Sequence, residues 1–204
     1  IQAHHFGYLP FFGSGSIYDH TGVNYKVRQV LTGQSFDLDK YHAYSPLYIT
    51  VGAYVGYWTG LAIGAALLMH TALHYGPFLW RAATTGKAEA DDVHALQMEH
   101  YKDVPRFAYP LMAITGLALS IAAVEVFHVG LPIWALLMSI FWAGLFLVPS
   151  ALLYAQTNYL VSPNISSEVI VGYMLPGKPI PNMVFKAYAV SVSINATYVL
   201  QGLK

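Results

Sequence analysis

Between Tyr41 and Trp80 the chain holds no Asp, Glu, Lys or Arg, and the stretch SPLYITVGAYVGYWTGLAIGAALLMHTALHYGP is longer than the roughly 20 apolar residues that cross a bilayer. It predicts a first span over residues 46–75, with Ser45 and Pro46 suited to its start and Gly76 and Pro77 to its stop. Two more spans follow over 108–129 and 130–156, with a tight turn at Gly130, Leu131 and Pro132 and a kink expected at Pro149. Residues 157–204 are apolar again but are cut by Pro176, Gly177, Pro179 and Pro181, which predicts a broken helix pair. Polar stretches occupy 1–45 and 76–107. The pattern is that of an all-α, polytopic transmembrane helical bundle fragment with a discontinuous proline- and glycine-broken helix near the C-terminus.

Charge placement adds orientation. Fifteen of the 20 charged residues lie within 1–40 and 81–106, so these are the aqueous parts. The basic residues Arg81, Lys87, Lys102 and Arg106 make 76–107 the cytoplasmic loop and 1–45 an extracytoplasmic one. Hydrophobic residues make up 56% of the chain and the mean hydropathy is +0.47, outside soluble proportions. An integral membrane location follows, expected at the plasma membrane, with vacuolar or other endomembranes as alternatives. The lipid bilayer is thus one partner. Ten basic residues balance ten acidic ones, so nothing points to nucleic acid. Cysteine is absent, which excludes disulfides and thiolate metal sites. The chain starts at Ile1 and stops right after an apolar run, so the remaining transmembrane helices of a longer protein are expected as partners.

Candidate chemistry is sparse. Gly52, Gly56, Gly60 and Gly64 form a small-residue stripe suited to close helix packing, with a substrate-lining groove as the alternative. His70 and His74 share a helix face, but Thr71, Ala72 and Leu73 between them lack the glutamate of a zinc protease, and His4 with His5 supplies at most part of a site. Neither GxSxG nor paired intramembrane aspartates occur, so an enzyme is not expected, nor any metal or cofactor. The exception to apolar monotony is TNYLVSPNISSEVIVGYMLPGKPIPNMVFKAY, residues 157–188, which carries Glu168, Lys178 and Lys186. A charge at the bilayer centre costs roughly 2.5–3.5 kcal/mol on insertion scales, and opened backbone survives there only against protein or a water-filled cavity. Together these features predict a solute site in a transporter or channel.

Within that stretch Asn164, Glu168, Gly172, Tyr173, Leu175, Pro176, Gly177, Lys178, Pro179, Phe185 and Lys186 stand in a pattern that resembles the oligopeptide transporter (OPT) family, in its fungal and plant small-peptide branch. The likeness extends to Tyr25–Arg28, KYHAYSPL at 40–47, HYGP at 74–77, EVF at 125–127 and LPIWAL at 131–136; Pro181 and Ala189 depart from it. The resemblance implies proton-coupled uptake of small peptides, tetra- and pentapeptides or glutathione-like peptides, by alternating access and driven by the proton gradient alone. Carriage of metal chelates and an ion or solute channel subunit are the alternatives. On this reading Glu168 accepts the proton or the peptide amine, or is a structural strut paired to a lysine. Glu125, near the outer end of the second span, is the second proton-coupling candidate unless it simply meets water. Lys178 and Lys186 hold the peptide carboxylate, and Tyr173, Asn182 and Tyr188 orient its backbone.

Overall fold

A computed structural model describes residues 16–33, 35–85 and 105–202. His4, His5 and the amphipathic stretch ADDVHALQMEHY lie outside the described residues. The first described segment is an ordered cap. Strand β1 (Ile17–Tyr18) pairs antiparallel with β4 (Tyr48–Ile49), and β2 (Leu31–Thr32) pairs antiparallel with β3 (Ser35–Phe36). The short helix α1 (Leu38–Tyr44) starts where the Asp37 carboxylate accepts from the Asp39 and Lys40 amides. Asp19 closes a turn by accepting from the Thr21 hydroxyl and the Thr21 and Val23 amides, while the Tyr25 hydroxyl donates to the Ser45 carbonyl at 2.7 Å.

Helix α2 (Val51–His70) begins where Thr50 accepts from the Ala53 amide. A π-helical turn, Thr71–Tyr75, joins it to α3 (Gly76–Thr85). The expected stop at Gly76 and Pro77 is therefore passed through. Proline normally clashes with the carbonyl four residues back, and the wider π ladder just ahead of it removes that constraint. Helix α4 (Ala108–Val126) leads through His128 and Gly130, both at positive φ, into α5 (Ile133–Thr157), which keeps Pro149 inside one helix. Then come α6 (Asn164–Met174) and α7 (Pro179–Gly202). Four stretches, Val51–Thr84, Ala108–Val126, Ile133–Thr157 and Pro179–Gln201, are long and apolar enough to cross a membrane, so the architecture is all-α and polytopic, that of an integral membrane protein.

Helix α7 packs most extensively on α5 and next on α6, and α2 leans on α6. One core cluster joins Val124, Leu131, Ala135, Leu136, Val171 and Phe185, tying the ends of α4 and α5 to the α6–α7 pair. The glycine stripe of α2 divides in two. A Cβ at Gly60 would run into the tip of the Ile165 side chain, which would have to shift, and one at Gly64 would stand 3.5 Å from Phe146, whereas Gly56 has open space around it. Helix α6 is only 11 residues long, about 16 Å, roughly half a bilayer. It starts partway along α5: Asn158 turns the chain in a left-handed conformation, the Ser150 hydroxyl donates to the Val161 carbonyl at 2.6 Å, and the Trp142 indole donates to the Ser166 hydroxyl at 3.2 Å.

Two outcomes follow. Gly60→Val is expected to cost about 1–3 kcal/mol by overpacking against Ile165, with part recovered in Gly60→Val/Ile165→Ala and little lost in Gly56→Ala; thermal unfolding of the purified protein measures all three. The cap responds to acid in a fixed direction. Hydrogen bonds from the Thr21 hydroxyl hold the Asp19 carboxyl below the usual range, and those from the Thr32 hydroxyl do the same for Asp37. A depressed carboxylate pKa contributes stability above the unfolded value, near 3.9, and that stability is lost as pH falls through the folded value. Amide exchange at residues 16–45, corrected for intrinsic rate, is expected to quicken below about pH 4 and to vary less with pH in Asp19→Asn/Asp37→Asn.

Candidate functional site

The site is built by an antiparallel helical hairpin. Glu168 lies seven residues before Leu175 and Lys186 seven after Pro179, about two turns on either side of the break, so the two stand at one depth on facing helices. The Lys186 ammonium donates to Glu168 Oε2 at 2.9 Å, and the Tyr57 hydroxyl, from α2, donates to Oε1 at 3.3 Å. Three helices therefore converge on one carboxylate. The pair is not sealed: the two side chains keep 35% and 34% of their surface.

They open onto a cleft of about 490 Å³ whose polar lining is Asn164, Glu168, Asn182, Lys186 and Ser191, and whose apolar lining includes Met183 and Val190. The spacing explains the convergence. Asn164 and Glu168 are four apart on α6, while Asn182, Met183, Lys186 and Val190 recur at three and four on α7, so each set falls on one helix face. On the flank of α7 beside that face, Phe185 and Ala189 are buried. A cleft with one acid, one base and two amides amid aliphatic walls can bind a solute that carries both charges and amide groups.

The other residues singled out from the sequence are distributed differently. Lys178 is exposed at the break and borders a separate hollow with Thr32, Ser35, Gly130 and Pro181. Tyr173 is 86% exposed and does not line the cleft, and Tyr188 packs against the core cluster. Glu125 is exposed near the end of α4 and has no ion-pair partner among the described residues. Of the named set, then, the structure brings together Glu168, Asn182 and Lys186.

The break itself behaves otherwise than expected from opened backbone in a cavity. Pro176, Gly177 and Lys178 are exposed, and the Gly177 carbonyl accepts from the Phe36 amide of the cap at 2.8 Å, while the Lys178 carbonyl accepts from the Asn182 amide. A strand edge thus caps one carbonyl of the break, that of Gly177, and the cleft is furnished by side chains. Tyr57 was not singled out from the sequence, although a signal existed: it shares a helix face with Gly60 and Gly64, the residues through which α2 meets α6 and α5. Asn164 stood in the family pattern without a role, and it borders the cleft at the first residue of α6.

The family model described as OPT oligopeptide transporter protein matches residues 5–204. Glutathione transporter 1 of Schizosaccharomyces pombe is 34% identical over 89% of this chain and 21% of its own length. Oligopeptide transporter 1 of Arabidopsis thaliana is 34% identical over 96% of this chain and 27% of its own length, and oligopeptide transporter 2 of Saccharomyces cerevisiae 32% over 97% and 25%. The chain thus spans about a quarter of the length of the curated relatives it matches, which are transporters rather than enzymes. No solved structure matches it. With the motif, the helical architecture and the family match in agreement, this chain belongs to the OPT oligopeptide transporter family.

Proposed function

We propose that the whole protein carries short peptides, oligopeptide or glutathione-like, across its membrane together with protons by alternating access, and that the α6–α7 cleft is part of the substrate site. The observation that carries this reading is the half-open Glu168–Lys186 pair with its Tyr57 bond. A charge pair that still touches solvent separates more readily than a sealed one, and a zwitterion that enters between the two partners gives each a new one. The peptide ammonium goes to Glu168, its carboxylate to Lys186, and Asn164 and Asn182 meet the backbone amides. The half-helix α6 starts at Asn164 without a side-chain cap among the described residues, and the dipole at its N-terminus favours the carboxylate as well. Protonation of Glu168 releases Lys186 and loosens the Tyr57 contact, so α2 shifts against the hairpin; this is the step that links proton to cargo. Lys178, set apart at the break, meets the peptide carboxylate earlier on the path.

In Glu168→Gln, uptake of a labelled tetrapeptide by cells making the full-length protein is expected to fall at least tenfold, about 1.4 kcal/mol, and the remainder to lose its dependence on external pH. Unchanged, still proton-dependent uptake removes Glu168 from the mechanism. The exchanged pair Glu168→Lys/Lys186→Glu is expected to restore membrane abundance without restoring uptake. Full recovery of both would reduce the pair to a strut.

A further inference from the structure

We propose that His70 and His74 form a chelating pair for a first-row divalent transition metal ion, Zn2+ or Cu2+, at the end of the bundle away from the cap. His70 closes α2 and His74 lies in the π turn. Both are exposed, and their ring centroids stand 4.5 Å apart with planes at 39°. Histidines four apart on a helix present their rings to one side, which is the arrangement by which helices hold zinc. Bonds from imidazole nitrogen to such ions are about 2.0–2.1 Å long. Rings this close and tilted need only side-chain rotation to reach a shared ion.

The surroundings favour the ligand over a merely solvated pair. Neither imidazole has a hydrogen bond among the described residues, and an imidazole nitrogen is a common ligand for such ions. The backbone beneath them is fixed: Thr71 is buried, and the Tyr75 hydroxyl accepts from Gln156 of α5 at 2.7 Å. A π insertion in an otherwise regular helix is a local distortion often found at functional sites. Imidazole nitrogen favours Zn2+, Cu2+ or Ni2+, whereas Mg2+ and Ca2+ favour oxygen ligands. No group of three or more metal-binding side chains occurs among the described residues, where the pair itself supplies two nitrogen ligands.

The test is titration of the purified full-length protein with ZnCl2, with electron paramagnetic resonance of bound Cu2+ as the second readout. Wild type is expected to bind one Cu2+ with coupling to two nitrogens at this place. His70→Ala and His74→Ala are each expected to weaken that binding at least tenfold and to remove one nitrogen from the spectrum, while His20→Ala, in the cap, changes neither. His70→Gln and His74→Gln repeat the test in a form that keeps side-chain volume, and unaltered metal-free thermal unfolding shows that the fold is intact. Binding and spectra in these variants that match wild type overturn the proposal.

Discussion

Keeping a carboxylate and an ammonium in contact across two helices at the edge of a cleft is the constraint on which the described structure turns, and α2, α6 and α7 all meet at the Glu168–Lys186 pair. The requirement explains the hairpin. A break with equal arms on either side puts the two residues level, and the burial of Phe185 and Ala189, on the flank of α7 beside Lys186, fixes the rotation of that helix. The core cluster that includes Val171 and Phe185 therefore does for the pair what a rigid frame does for a hinge pin.

Helix α2 adds the third support. Its approach to α6 depends on Gly60, where Ile165 occupies the space of a side chain, and that approach lets Tyr57 reach Glu168. A small residue in one turn thus fixes a polar contact in the turn before it. Farther along, the same helix relaxes into a π turn and passes Pro77 without stopping, which carries it on to Thr85.

The cap closes the other end. By donating to the Gly177 carbonyl, the Phe36 amide satisfies the acceptor that Pro181, four residues on and without an N–H, cannot. At the start of α6 the segment after Asn158 folds back along α5, and a half-length helix begins beside the cleft. Placed at that depth, Asn164 contributes both a side chain and the first turn of a helix.

The spans, the break between α6 and α7 and the two charges of the cleft were legible in the chain, because hydropathy over twenty residues, proline chemistry and the rarity of charge in apolar runs are all local properties. So was the family, through Asn164, Glu168, LPGKP and Phe185–Lys186 read together. Which charges meet was not. Lys178 and Lys186 look equivalent in sequence, and only the antiparallel packing of α6 on α7 pairs the second with Glu168 and leaves the first at the rim. The partner 111 residues earlier, Tyr57, and the capping of Gly177 by Phe36 likewise come from contacts between distant segments, which no pattern along one stretch encodes. Composition decided that this chain lives in lipid and where it bends; the packing of helix on helix decided which polar groups face one another, since that depends on the depth and rotation each helix takes against its neighbours.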